Sequence, residues 1–140
     1  EVVFACGGKL YQSVVNAAEA TQNGKVIGVD VDQYFVSDTV ITSAMKGLTV
    51  SVYDALEAFY DNSMEWPTEY AGATAVLGAA VGGVGLPTAT TSWGFENFTV
   101  AEYEAIFDLL VDGTVVVSAA IDAQPTVTLV TVTYSAKPAE

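Results

Sequence analysis

The chain has 140 residues and a formal net charge of −13. Its length and its 51% of hydrophobic residues are enough for one domain with a core. Four scattered lysines and no arginine leave no basic patch, so we expect no nucleic-acid partner. The absence of histidine removes the commonest general base and metal ligand, and a single cysteine excludes an internal disulfide. We therefore expect no enzyme activity, no cofactor and no metal, and we expect a neutral ligand.

The chain begins directly on an apolar segment, residues 2–5, with no charged region before it. We expect any signal peptide to be absent or already removed, and we interpret residues 1–140 as a single domain cut from a longer protein. The longest apolar runs, such as residues 75–81, are too short to cross a bilayer. Residues 3–7 faintly resemble a lipobox, but we interpret Cys6 as a small, buried residue at a strand end.

The first half of the chain alternates short apolar runs with helical patterns. We predict strands over residues 2–5, 25–29 and 39–42, and helices over residues 9–22 and 44–60. Fully apolar strands are typical of parallel sheets, which are buried on both faces. The order predicts an α/β domain in which helices cover a parallel sheet.

Two details follow from the helical patterns. Gly24 is placed to end the first helix, and Ser43 to cap the second. The second helix carries an apolar stripe at helical spacing, typical of a helix that packs on a sheet: Leu48, Val52, Leu56 and Phe59.

The second half is less regular, and only one helix in it is well marked. That helix spans residues 99–111, with Thr99 and Glu102 forming a capping box and Phe98 and Tyr103 at the hydrophobic staple positions.

Further elements of the second half rest on weaker patterns. We predict short strands over residues 71–77 and 115–117, and an edge strand over residues 125–134, where valine and threonine alternate. Glycine-rich residues 78–85 are expected to form a hinge or crossover, and Gly113 suits the end of the preceding helix.

Ligands of open parallel sheets bind at the carboxyl ends of the strands, which here are residues 4–8, 28–33 and 42–47. Asp30 is the first candidate, because an ionised carboxylate accepts two hydrogen bonds from neighbouring hydroxyls, as a ribose diol presents. The alternative is that Asp30 caps a turn. Asp32 is either a brace for Asp30 or a solvated loop residue. An acid/base pair of the two carboxylates is disfavoured, because no nucleophile or oxyanion motif accompanies them.

Lys46 is predicted to lie in the first turn of the second helix, where a cation opposes the helix dipole. This unfavourable placement indicates that Lys46 has a specific partner, either a ligand oxygen or Asp30. The alternative is that Lys46 is simply exposed to solvent. Phe4 and Tyr11 are candidates for stacking on a base, although aromatic residues in such positions are usually part of a core. Gly7 and Gly8 permit a tight turn and a close approach of the ligand.

Three segments together resemble the basic membrane lipoprotein family of ABC-transporter substrate-binding proteins. They are Val-Phe-Ala-Cys-Gly-Gly at 3–8, Val-Ile-Gly-Val-Asp-Val-Asp-Gln at 26–33 and Thr-Ser-Ala-Met-Lys-Gly at 42–47. Residues 52–55, 98–103 and 113–118 also resemble the family, so the likeness runs over nearly the whole chain in the right order. The turn at Gly7 and Gly8 departs from the family pattern, because Lys-Leu-Tyr follows where the family often has a further Gly-x-Gly.

The resemblance implies a lobe of a type I periplasmic-binding-protein-like (Venus flytrap) fold, here the C-terminal lobe. It implies a purine nucleoside held between two α/β lobes, with Asp30 and Lys46 on the sugar and Phe4 against the base. It also implies an ABC permease as partner and an extracytoplasmic location at the cell membrane through a lipid anchor outside this chain. A lobe by itself exposes its cleft, so we consider a homodimer possible.

Two alternative functions remain open. Asp30 follows the glycine turn by about 20 residues, near the spacing of a ribose-binding acid in a Rossmann-like, nucleotide-dependent enzyme. That enzyme hypothesis lacks a third glycine and a catalytic base. The other alternative is a sensor or adhesion domain that reuses the binding fold without transport.

Overall fold

The structure of the protein is a computed structural model, which describes residues 1–118 and 126–133. These described residues form four strands and three α-helices: β1 (Val2–Phe4), α1 (Tyr11–Glu19), β2 (Lys25–Asp30), β3 (Val40–Lys46), α2 (Leu48–Asp61), β4 (Val84–Gly85) and α3 (Val100–Val111). Short 3₁₀ turns lie at Gly8–Leu10, Tyr34–Val36, Ala79–Val81 and Thr90–Ser92.

The strands form one sheet in the order β1-β2-β3-β4. β1, β2 and β3 are parallel, which confirms the predicted α/β class. β4 is a two-residue antiparallel addition that pairs Gly85 with Met45 and Val84 with Lys46. It lies inside the glycine-rich segment that we expected to be a hinge or crossover. Because β1 to β3 run the same way, their carboxyl ends share one edge of the sheet.

The core is small and lies between α1 and the first two strands. The buried cluster consists of Ala5, Val15, Ala18 and Val26. The partly buried side chains that pack against it are Tyr11, Val14, Val36 and Val40. The left-handed residue after α1 is Asn23 (φ 62°) and not the predicted Gly24. Gly24 is instead needed for close packing, because a Cβ there would lie 2.7 Å from the carbonyl oxygen of Ala18.

The second helix differs from its prediction at both its start and its face. β3 extends through Lys46, so α2 begins only at Leu48, and Ser43 is a fully buried strand residue rather than a helix cap. The predicted apolar stripe is largely exposed, with Val52 at 58%. No residue of α2 is buried. The stripe has the spacing of a packed helix, but nothing in residues 1–118 and 126–133 covers it.

The third helix confirms its predicted start. Thr99 Oγ1 accepts from Glu102 N, and Glu102 Oε2 accepts from Thr99 N at 2.8 Å, which completes the capping box. The hydrogen bond from Thr99 N, followed by the one that Thr99 Oγ1 donates to Glu102 Oε2 at 2.8 Å, holds the pKa of Glu102 below its ordinary value. Gly113 is left-handed (φ 78°) just beyond the helix, as expected.

Three strand predictions in the second half are not met. Residues 71–77 are irregular, and residues 115–117 form no strand. The predicted edge strand over 125–134 is irregular at 126–133, and its two end residues lie outside the described residues. The propensity of such a segment for β-structure is expressed only when a neighbouring strand pairs with it.

Candidate functional site

The carboxyl ends of β1, β2 and β3 open into a cavity of about 570 Å³. This volume is in the usual range for small-molecule sites, about 300–1,000 Å³. The structure brings all five predicted site residues into its lining: Phe4, Gly7, Gly8, Asp30 and Lys46. The sequence order scatters them over 43 positions, and the parallel sheet gathers them at one edge.

Asp30 and Lys46 form an ion pair at this edge. Lys46 Nζ lies 2.7 Å from Asp30 Oδ1, and the two side chains are 64% and 42% exposed, respectively. The hydrogen bond to Asp30 and the negative charge of that carboxylate raise the pKa of Lys46 above its ordinary value of 10.5. Because water reaches both groups, the pair contributes little to stability and can open to admit a ligand. Lys46 is the last residue of β3, so the prediction that it lies in the first turn of the second helix is wrong.

The backbone turns sharply at Asp30. Asp30 has a φ of 69°, and Val31 N donates to Val29 O at 2.8 Å, closing a three-residue turn around it. A left-handed conformation is unfavourable for a residue with a Cβ, so surrounding contacts must hold it. This turn ends the strand at the residue whose carboxylate faces the cavity.

A buried polar network supplies those contacts. The side-chain oxygen of Gln33 accepts from Val29 N at 3.1 Å, and Ser43 Oγ accepts from Gln33 N at 3.0 Å. Both side chains are buried, and Gly28 leaves room for them, because a Cβ there would lie 2.6 Å from each of their oxygens. Gly28, Gln33 and Ser43 therefore form one unit that fixes the backbone on either side of Asp30.

Asp32 fastens the same loop to the second half of the chain. Its carboxylate accepts from Ser92 Oγ at 2.5 Å and from Tyr34 N at 3.2 Å. Ser92 is buried and Asp32 is half-buried, so the contact is partly shielded from water. Of the two interpretations of Asp32, the bracing role agrees with these bonds. The solvated-loop interpretation does not.

The turn after β1 forms the near wall of the cavity. Phe4 is 51% exposed and lines the cavity instead of joining the core. Cys6 is also exposed and lines it, which corrects the prediction of a buried strand-end residue. The turn that Gly7 and Gly8 make (φ 57° at Gly8) carries the chain from the strand into α1.

The far wall comes from α3 and was not anticipated as part of the site. Tyr103, Phe107 and Leu110 line the cavity, and the rings of Tyr103 and Phe107 lie 5.5 Å apart. The Tyr103 hydroxyl accepts from Leu86 N at 2.9 Å, which ties α3 to the end of β4. The sequence signal for this wall was the spacing of Tyr103, Phe107 and Leu110, which lie four and three residues apart on one predicted helix. That spacing is equally typical of a helix face that packs in a core.

A family model described as Bmp, ABC transporter substrate-binding protein PnrA-like, matches residues 1–109. The chain belongs to this family. No curated protein and no solved structure matches the chain. The match covers all five predicted site residues and ends inside α3, one residue before Leu110.

Bmp proteins are substrate-binding components of ABC transporters, not enzymes, and they work outside the cytoplasm. The family resemblance inferred from the sequence and the predicted α/β fold class are thus confirmed for this Bmp chain. Over residues 1–118 and 126–133, no helix is both long and apolar enough to cross a membrane. The same residues contain no cluster of three or more potential metal ligands.

The stacking candidate Tyr11 and the loop residue Trp93 of this Bmp chain both lie outside the cavity lining. Tyr11 packs against the core cluster, in agreement with the structural alternative. Trp93 stacks near Phe98 and Tyr103, and its Nε1 donates to Phe98 O at 2.7 Å. Trp93 therefore packs its loop onto the domain, and only indirectly supports the far wall through Tyr103.

Proposed function

We propose that this Bmp chain binds a purine nucleoside at the carboxyl edge of its sheet, as the recognition unit of an extracytoplasmic ABC importer. The observation that carries the proposal is the ion pair of Asp30 and Lys46 at the side of an apolar cavity. Polar groups that recognise a sugar and apolar walls that receive a base are thereby combined in one site.

The sugar would bind at the ion pair. The Asp30 carboxylate accepts hydrogen bonds only, so it selects a ligand that offers hydroxyl donors. Lys46 offers donors only, so it suits the oxygen lone pairs of the same hydroxyls. A vicinal diol supplies both kinds of group, and each new bond would be charge-assisted.

The base would bind between the two walls. Phe4 offers an exposed ring on the β1 side, and Tyr103 and Phe107 offer rings on the α3 side. Stacking on an aromatic side chain is worth about 1–3 kcal/mol per base. The ribose contacts and the stacking together favour a nucleoside over a free sugar.

The charge of the site favours a neutral ligand. Among the described residues that line the cavity, Asp30 and Lys46 are the only charged ones, and each neutralises the other. The chain carries −13 in total, so a phosphate would meet long-range repulsion and no free cation. Nucleosides are thus preferred to nucleotides.

We propose further that residues 1–140 form one domain, the C-terminal lobe of a two-lobe protein. The matching lobe would cover the open side of the cavity and trap the ligand by hinge closure. A lipid anchor outside this chain would hold the intact protein at the membrane, beside its permease. Because a single lobe desolvates only one side of a ligand, this chain should bind weakly.

An amide NMR titration tests the proposal, because it detects weak binding. Inosine, adenosine and guanosine are added to the chain in turn, with ribose, glucose and NAD as comparison ligands. The expected result is saturable shifts around Phe4, Asp30 and Lys46 with the nucleosides. Asp30→Asn should abolish them, because the amide replaces one acceptor by a donor.

The matched control is Asp38→Asn, which makes the same change at an exposed carboxylate in the loop between β2 and β3. It should leave the titration unchanged. Shifts with NAD alone would favour the enzyme alternative. Absence of nucleoside shifts from both this chain and the two-lobe protein would refute the nucleoside proposal.

A further inference from the structure

The hydroxyl group of Tyr103 is a polar group on the apolar wall that α3 gives to the cavity. α3 contributes Tyr103, Phe107 and Leu110 to the lining, and of these three only Tyr103 carries a polar side-chain atom. All three side chains are half-buried. The proposed sugar contacts use the ion pair and the proposed stacking uses aromatic rings, so neither gives this hydroxyl a role.

The hydrogen of this hydroxyl is available to a ligand. A tyrosine hydroxyl can both donate and accept a hydrogen bond, whereas a backbone N–H can only donate. Tyr103 Oη accepts from Leu86 N at 2.9 Å, so this bond occupies a lone pair of the oxygen and leaves the hydrogen unused. Among residues 1–118 and 126–133, no acceptor receives that hydrogen. Tyr103 therefore presents a donor at the cavity wall.

Backbone pairing relates the hydroxyl to the ion pair that is proposed to bind the sugar. Val84 of β4 pairs with Lys46, and Leu86, whose N–H binds Tyr103, comes two residues later. A Cβ on Gly85, the residue between them, would lie 3.5 Å from Tyr103 Oη. The hydroxyl thus lies beside β4, further along the chain than the residue that pairs with Lys46. A base attached to a sugar at the ion pair would meet it with an edge remote from the sugar.

Purine bases differ in what that remote edge offers to a donor. At positions 6 and 7, guanine has two acceptors, O6 and N7, whereas adenine has the acceptor N7 and an amino group that donates. Hypoxanthine, the base of inosine, has the same O6 and N7 as guanine. An adenine amino group that faced Tyr103 would set two donors against each other. A 6-oxopurine therefore complements the hydroxyl, and a 6-aminopurine does not.

We propose that Tyr103 selects 6-oxopurine nucleosides by donating its hydroxyl hydrogen to O6 of the base. The inference rests on the proposed nucleoside function and names the class of purine that the same site takes. Phe4 and Phe107 would supply the stacking surfaces, and Tyr103 the contact to the edge of the base. The bond from Leu86 N strengthens this donor, because hydrogen bonds in a chain polarise one another.

A thermodynamic cycle between protein and ligand isolates the proposed hydrogen bond. Inosine is compared with purine riboside, which has a hydrogen in place of O6, and wild type is compared with Tyr103→Phe. Amide NMR titrations of this chain and of the two-lobe protein give the dissociation constants. Tyr103→Phe should raise the Kd of inosine at least about threefold more than that of purine riboside, which is the effect of one net hydrogen bond.

The cycle separates recognition from a structural effect of the same substitution. Tyr103→Phe also leaves the N–H of Leu86 without its acceptor, but it does so for both ligands, so a purely structural loss cancels in the ratio of the two constants. Guanosine should behave as inosine does, and adenosine as purine riboside does. The matched control is Tyr60→Phe, which removes the hydroxyl of a tyrosine on α2 that is 64% exposed and outside the cavity lining. It should leave every dissociation constant unchanged.

Two results for Tyr103→Phe would overturn the inference and leave the nucleoside proposal standing. One is an equal rise in the Kd of inosine and of purine riboside, and the other is no rise for either ligand. Absence of binding by both ligands, in this chain and in the two-lobe protein, would refute the inference together with the nucleoside proposal.

Discussion

The two halves of the site are held in different ways. The polar half, at the ends of β2 and β3, rests on a network of buried groups in which Ser43 is fully inaccessible to water. The apolar half, on α3, contains no buried residue in its helix and is fastened by ring contacts and one hydrogen bond from Leu86 N to Tyr103. We infer that the polar half is preorganised and the apolar half adjustable, which would suit the proposed closure of a second lobe over the site.

Gly28→Ala should have the largest effect, because it disturbs the polar half of the site. The added Cβ would lie 2.6 Å from both Gln33 Oε1 and Ser43 Oγ, so the network must open. We expect a loss of about 3 kcal/mol in the free energy of unfolding, from overpacking and disrupted hydrogen bonds. Urea denaturation measures it. Gly78→Ala is the control, because a Cβ there meets nothing within 4 Å and should change stability by less than about 0.5 kcal/mol.

Ser43→Ala should have the next largest effect. It leaves the buried Gln33 N–H without its acceptor, and an unsatisfied buried donor costs about 1–3 kcal/mol. The same denaturation experiment compares it with Ser13→Ala, an exposed change on α1. If the two variants were equally stable, the network would not be what fixes the polar half.

Thr99→Ala tests the apolar half. Loss of the cap should destabilise α3 by about 1 kcal/mol, with faster amide exchange at the start of the helix and little change around Asp30. Equal disturbance in both halves would contradict their independence.

Glu102→Gln adds a pH signature to the same cap. The folded-state pKa of Glu102 is lowered, so its contribution is complete above its ordinary value of 4.5 and is lost as the pH falls through the folded value. The stability difference between wild type and Glu102→Gln should therefore shrink on acidification. Thermal melts across this pH range measure it, and a difference independent of pH would exclude the carboxylate as the cause.

Lys46→Met should have the smallest effect on stability, too small to resolve by denaturation, because its ion pair is exposed. Ligand shifts in the NMR titration should nevertheless weaken, since a donor to the sugar is lost. Since the folded pKa of Lys46 is raised, any contribution of the pair is complete below pH 10.5 and is lost as the pH rises through the folded value. Lys9→Met is the control at an exposed lysine outside the cavity lining.

The sequence by itself determined the elements whose signals are local. Apolar runs set the three parallel strands, and the capping box set the start of α3, because these patterns act on their own segment of chain. The three segments at residues 3–8, 26–33 and 42–47, taken together, also sufficed to identify the family.

Only the tertiary structure decided contacts between distant segments. It extended β3 to Lys46, since pairing with β2 and β4 outweighed the helical pattern there. It exposed the apolar stripe of α2, and it brought Tyr103 and Phe107 into the same cavity lining as Phe4. Periodicity shows that a face is apolar, but which partner covers that face depends on chain packing that no local pattern encodes.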